Sequence, residues 1–177
     1  MPNVFSVETF KSALGAGGAR PNQFMVTFLG GPVGPLDGIL VSSASLPGQV
    51  LQPAIVQYRG REVKMAGDRI FAPWTTTFIN DTGFVAREYV ETWMQVMEDR
   101  RFKVGLTVPD SYYGQMMATQ LDRNGEMLYS YTFTDAFPTD ISEVQLDYGA
   151  NDQVSSFQVT WQYQQFEINN SGLAAFF

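Results

Sequence analysis

Carboxylates are the one catalytic device this chain can offer, because its 177 residues include 18 Asp and Glu but no cysteine and no histidine. A thiol nucleophile, an imidazole base, a disulfide framework and a Cys/His zinc site are all excluded. The acidic pairs nearest in sequence are Asp140 with Glu143, Asp147 with Asp152, and Glu88 with Glu91. A glycosidase needs two carboxyls facing one sugar across a cleft, one of them with a raised pKa. The patterning argues otherwise: Glu88 and Glu91 fall on the polar face of a helix, Asp152 in a turn, and Asp147 on the solvent side of a strand. The glycines of Gly15-Ala16-Gly17-Gly18 precede a strand, whereas a dinucleotide fingerprint follows one. No catalytic, cofactor-binding or metal-binding residue is therefore assigned, no cofactor is expected, and the chain reads as a non-enzyme. Two glycosylation sequons, Asn80-Asp81-Thr82 and Asn169-Asn170-Ser171, give no reason to expect secretion in a chain without cysteine or a signal-like leader.

Charge is distributed unevenly. Residues 1–103 carry ten basic and nine acidic groups, while residues 104–177 carry one basic group, Arg123, and nine acidic ones. A net charge of −7 makes this a poor candidate for holding nucleic acid by phosphate neutralisation. The most basic window runs from Val50 to Trp74, where Arg59, Arg61, Lys64 and Arg69 are set against Glu62 and Asp68. The interleaved acids favour a protein contact over anion binding. No apolar run approaches the ~20 residues of a membrane span, so a soluble chain without membrane anchoring is expected.

The elements that must position these groups are mostly strands. The chain divides into an N-terminal arm (1–18), a β domain (19–166) and a C-terminal tail (167–177). In the arm, Ser6 caps a short helix with Val7, Phe10 and Leu14 on one face and Glu8 in its first turn. Alternation predicts strands over Gln23–Leu29, Gly38–Ser45 and Trp74–Ile79, and Tyr58–Glu62 forms the tip of a long hairpin. One long helix, about Gly83 to Asp99, presents Val85, Tyr89, Trp93 and Val96/Met97 to a sheet, with Asn80–Thr82 offering its cap. Asn124-Gly125 joins Tyr112–Leu121 to Met127–Phe133 as a hairpin, and Phe137-Pro138 breaks the chain. Glu143–Tyr148 alternates as a strand, and Gly149–Asp152 turns it into a longer one, Gln153–Phe166, with a bulge between Val154 and Phe157. The mixed apolar and small residues from Asn169 to Phe177 read as a tail that orders only when a partner captures it.

From Ala19-Arg20-Pro21-Asn22-Gln23-Phe24 onward the sequence resembles the major tail tube proteins of contractile-tailed, T-even-type bacteriophages. The resemblance continues in order through Leu46-Pro47-Gly48, Ala66-Gly67-Asp68-Arg69-Ile70-Phe71 with Trp74, Asn80-Asp81 and Ala86-Arg87. It closes with Phe137-Pro138-Thr139, Val144-Gln145-Leu146-Asp147-Tyr148, Asn151-Asp152 and Phe157-Gln158-Val159-Thr160, covering about residues 19 to 166. The implied fold is mainly β, an antiparallel sandwich or partial barrel with one flanking α-helix, six copies of which close into a ring. Stacked rings would form a virion tail tube inside a contractile sheath, made in the host cytoplasm and used for genome ejection. The implied partners are other copies of the chain, the sheath protein, the baseplate and tail-terminator proteins, and double-stranded DNA passing through without specific binding. The resemblance assigns Arg59, Arg61, Lys64, Asp68 and Arg69 to contact with the neighbouring ring. Alternation places Glu143, Gln145 and Asp147, together with Gln158, Thr160, Gln162 and Gln164, on polar faces suited to a lumen. Other readings are the tube of a type VI secretion or other contractile injection system and, in a different class, a carbohydrate-binding β-sandwich suggested by 14% aromatics.

Overall fold

A computed structural model describes residues 6–14, 18–99 and 105–170. Two helices, α1 (Val7–Ala13) and α2 (Val85–Met97), accompany ten strands. The strands are β1 (Phe24–Gly30), β2 (Leu36–Asp37), β3 (Val41–Ala44), β4 (Gln49–Tyr58), β5 (Arg61–Phe71), β6 (Trp74–Ile79), β7 (Gly114–Leu121), β8 (Met127–Ile141), β9 (Ser156–Gln162) and β10 (Gln165–Asn170). Eight of them form one antiparallel sheet in the order β2-β1-β7-β8-β9-β6-β3, with β10 also on β8; β4 and β5 pair only with each other. Among the described residues no helix is long and apolar enough to cross a membrane.

The sheet folds into a sandwich at β8. This strand is 15 residues long, and Asp135 in its middle takes the left-handed conformation (φ 54°). Residues before that bend pair with β7 and β10, Ala136 just after it still pairs with Gly114 of β7, and residues from Phe137 onward pair with β9. The following chain tracks the same corner: β9 ends at Gln162, and Gln164 N donates to the Thr134 carbonyl as the chain turns into β10. The alternating strand Gln153–Phe166 is thus two strands, one in each layer, and β10 runs through the position expected to separate domain from tail. Residues 171–177 of that tail lie outside the described residues.

Alternation sends one set of side chains between the layers. Phe28 of β1 packs against Phe78 of β6 and Trp161 of β9 at centroid distances of 5.7 and 5.2 Å, and Trp74 stacks on Phe133 at 4.5 Å. The polar edges of these rings are satisfied: Trp161 Nε1 donates to Thr76 Oγ1 at 2.8 Å, and Trp74 Nε1 donates to the Ser45 carbonyl. Helix α2 covers the sandwich with Ala86, Tyr89, Val90 and Trp93; Tyr89 and Trp93 lie on the expected face, but Val85 is 52% exposed and Ala86 and Val90 are buried in its stead. Trp93 lies in a slot that two glycines leave open, since a Cβ on Gly31 or Gly114 would come within 2.7 or 2.4 Å of its ring. The indole N–H donates to the Tyr112 carbonyl at 2.8 Å. Asp81 supplies the start of α2, its carboxylate accepting from Val85 N at 3.0 Å. Ser6 caps α1 as expected, its hydroxyl accepting from Thr9 N.

Three local expectations are corrected and one is met. Gly38–Ser45 is not one strand but a 3₁₀ turn (Gly38–Leu40) followed by β3, because Gly38 presses so closely on β1 that a Cβ would meet the Val26 carbonyl. Pro138 does not break the chain; it is buried within β8 opposite Trp161, and a register shift between Pro138 and Asp140 absorbs its missing N–H. The Asn124-Gly125 hairpin forms as expected, with Gly125 in the left-handed conformation (φ 82°) and a bulge at Gln120/Leu121. Residues 142–155 form a loop, so Glu143–Tyr148 is not a strand. The Asp147 carboxylate accepts from Gly149 N at 2.8 Å, taking up backbone that a ladder would use.

Candidate assembly surfaces

The β4–β5 hairpin stands apart from the sandwich. Arg59 and Gly60 both have positive φ (49° and 77°), the two-residue turn whose twist matches the flanking strands. Pairing runs from Tyr58↔Arg61 at the tip to Gln49↔Phe71 at the root, about 30 Å at ~3.4 Å per residue. One extra residue on β5 near Gly67-Asp68 shifts the register opposite Gln52. A Cβ on Gly67 would meet the Gln52 carbonyl at 2.6 Å, so this bulge requires glycine. Cross-strand partners share a face, which makes the hairpin two-sided. One side carries Ala54/Met65, Val56/Val63 and Tyr58/Arg61, with Val50/Ile70 nearer the root; the other carries Ile55/Lys64, Gln57/Glu62 and Leu51/Arg69.

The five residues expected at an inter-ring contact are thereby brought onto one hairpin, at its tip (Arg59, Arg61, Lys64) and near its root (Asp68, Arg69). All are exposed. Among the described residues none of the four cations lies in an ion pair; Glu62 instead accepts from Gln57 Nε2 at 3.1 Å, and Arg59 sits over the Tyr58 ring. Charge spacing pointed to this hairpin but not to its apolar side. Val50, Val56, Val63, Met65 and Ile70 each expose 45 to 58% of their surface. Apolar residues occupy both parities of β4, which hides this side from any test of alternation; only the pairing register reveals it.

The residues expected to line a lumen divide into two groups. Gln158, Thr160 and Gln162 lie on the outward face of β9, opposite the buried Phe157, Val159 and Trp161. Register sets Gln158 beside Thr77, and Thr160 beside Thr75 and Asp140, giving a polar face. Glu143, Gln145 and Asp147 are exposed in the 142–155 loop and do not share that face, and Gln164 sits at the β9–β10 corner. The eight-stranded sheet holds no Lys or Arg: its strands contain only Asp37, Asp135, Asp140 and Glu167 as charges. Among the described residues every strand cation belongs to the hairpin.

Nothing in this arrangement resembles a reaction centre. Asp140 is on β8, Glu143 and Asp147 are in the loop, and among the described residues no cluster of three potential metal ligands occurs. The perturbed ionisations belong to tyrosines. Burial pushes Tyr89 up to about 12 while its hydroxyl donates to the Gly34 carbonyl at 2.8 Å, and burial raises Tyr163 as well.

Comparison with known proteins agrees with this geometry. Residues 19–169 match the family model described as phage tail tube protein. The chain is 27% identical over 143 residues to the tail tube protein gp19 of Enterobacteria phage T4, covering 80% of this chain and 86% of that protein. Among solved structures, a chain of the anti-feeding prophage baseplate superposes with a TM-score of 0.69 at 18% identity, covering 88% of this chain and 97% of its own. A chain of the extended sheath-tube complex of the extracellular contractile injection system PVC gives 0.65 at 16%, covering 93% and 99%. A sandwich with one covering helix and an unpartnered two-sided hairpin, in a sequence matched by that family model over most of its length, belongs to the phage tail tube protein family and is a structural subunit of a virion's tail tube.

Proposed function

We propose that six copies close into a ring and that rings stack into a hollow conduit inside a contractile sheath, with baseplate and terminator proteins at its ends and double-stranded DNA passing through. The subunit works as a wall element, with no enzymatic activity, cofactor or membrane anchor. The observation that carries this reading is the hairpin, about 30 Å of two-stranded sheet paired with no other strand and exposing a row of aliphatic side chains. Such an edge and face on a free subunit invite association. A heterologous contact between rings would use them, with Arg59, Arg61, Lys64, Asp68 and Arg69 fixing the register.

Support for passage of DNA comes from the absence of Lys and Arg from the strands of the eight-stranded sheet. DNA presents one negative charge per ~1.7 Å, and a wall of Lys and Arg would retain it through counterion release. Whichever face of the eight-stranded sheet lines the conduit, the only charged side chains its strands can offer are carboxylates. The Thr75, Thr77, Gln158, Thr160, Gln162 face is assigned to the lumen.

Electron microscopy of the purified protein tests the reading. Wild-type protein is expected to form hollow rods, and a variant in which the hairpin is cut back between Val56 and Phe71 should remain folded without forming long rods. Rods of normal length from the shortened variant would reject the role of the hairpin.

A further inference from the structure

The hairpin leaves the sandwich at one end of β6, and the 142–155 loop lies at the other. Phe71 is separated from Trp74 by two residues, and Trp74 pairs with Trp161; five residues along, Ile79 pairs with Ser156, and Asn80 N donates to the Ser155 carbonyl at 2.9 Å. The two features are thus about 17 Å apart along the strand direction, on opposite ends of one layer. A head-to-tail stack requires two different, complementary surfaces at opposite ends of the subunit.

The loop complements the hairpin in both respects that matter. Its exposed charges are Glu143, Asp147 and Asp152, with no basic residue from 142 to 155; the hairpin has four basic and two acidic groups. It also projects apolar side chains: Leu146 is 91% exposed, Val154 72%, and Tyr148 entirely so. These residues border an open cleft of about 450 Å³. The acidic β7–β8 turn is a weaker receptor. There Arg123 offsets the charge of Asp122 and Glu126, whereas the 142–155 loop carries no basic residue. The 142–155 loop combines three acidic groups with apolar side chains that project further than those of the neighbouring 81–85 segment, where Phe84 and Val85 expose 46 and 52%.

We infer that the receptor for the hairpin tip is the 142–155 loop of a second copy in the next ring. The Tyr58, Val56 and Val63 side meets Leu146, Tyr148 and Val154, while Arg59 and Arg61 meet Asp147 and Asp152. This inference rests on the stacking role proposed above for the hairpin and adds its docking partner. Docking shields apolar surface on both copies and pairs charges that each leaves open to solvent.

The absence of native cysteine makes the test direct. A Tyr58→Cys, Tyr148→Cys double variant of the full chain, assembled and mildly oxidised, should give a ladder of disulfide-linked multimers on a non-reducing gel. Neither single variant should extend beyond a dimer. Rods of the double variant that give no ladder overturn the docking site. If the cysteine variants do not assemble, charge exchange decides. Arg59→Asp with Arg61→Asp, and separately Asp147→Lys with Asp152→Lys, should each lose long rods, and the four changes combined should restore them. Folded protein from the combined variant that stays unassembled overturns the inference. Failure of the stacking role itself is distinguishable, because then the shortened hairpin would still form rods.

Discussion

Trp74, Trp93 and Trp161 expose 1% or less of their surface inside the sandwich, whereas the aliphatic side chains of the β4–β5 hairpin, from Val50 to Ile70, expose 45 to 58% of theirs. Both regions are built on antiparallel strand pairs whose successive side chains point to opposite faces. They differ in where the second layer comes from. The sandwich supplies its own, through the bend at Asp135 and the covering helix, and each indole N–H finds an acceptor within the chain. The hairpin has no second layer in its own subunit, so its side chains gain only about half of the ~1.5–3 kcal/mol that full burial would contribute. Folding of the subunit is therefore governed by the sandwich, and assembly draws on what the hairpin leaves exposed. A substitution in one region should disturb one process and spare the other.

The largest effect on the isolated subunit is expected at Trp161. This side chain touches Phe28 and Trp93 and donates to Thr76. Trp161→Ala should destabilise by roughly 3–5 kcal/mol, since it opens a cavity and strands the Thr76 hydroxyl in the core. Denaturant unfolding of monomeric protein measures this directly. A loss below ~1 kcal/mol would show that the two layers do not depend on their shared aromatic packing.

A smaller effect is expected at Tyr89, which ties α2 to the loop at Gly34. The phenol is held neutral by burial, with a folded pKa of about 12 against an ordinary 10.0. Folded protein thus binds more protons than unfolded protein between those values. Its contribution to stability is complete below pH 10 and disappears as the pH rises through 12. Tyr89→Phe should cost about 1 kcal/mol near neutrality through the lost hydrogen bond, and should make the alkaline decline shallower. Some decline should persist, because burial also raises Tyr163. Unfolding midpoints across pH 9 to 12 that are parallel in the two proteins would contradict this.

The same contrast explains what the sequence discloses. Local chemistry is legible where one residue decides the outcome: Ser6 caps α1, Tyr89 and Trp93 mark the buried face of α2, and Asn124-Gly125 marks a hairpin. It is misleading where partners decide. Val144, Leu146 and Tyr148 alternate like a strand, yet β9 begins only at Ser156 and leaves that segment no edge to join. Pro138 reads as a breaker because nothing local reports the bulge that accommodates it. For the assembly surfaces, the cations were visible as a cluster, but the apolar side of the hairpin depends on which residue of β5 faces which residue of β4. A bulge at Gly67-Asp68 sets that register, and strand periodicity does not reveal it.

The smallest effect on the subunit and the sharpest on assembly should come from the hairpin's apolar side. Replacing Val56 and Val63, a directly opposed pair, with Thr keeps the β-branched shape and strand preference while placing two hydroxyls on the exposed face. Neither side chain is packed in the core, so the unfolding free energy of the monomer should change by no more than ~0.5 kcal/mol. Rod formation should fall sharply, because each hydroxyl must be dehydrated at the contact without a designed partner. The opposite face provides the control. Leu51→Thr with Ile55→Thr changes as much apolar surface, but among side chains that alternate with Lys64, Glu62 and Arg69, where a rim rather than a centre is expected. Rod lengths under the microscope should therefore rank wild type, then the Leu51/Ile55 variant, then the Val56/Val63 variant. Equal loss from both faces would mean that the hairpin is enclosed on all sides in the tube, and a reversed ranking would move the contact to the charged face.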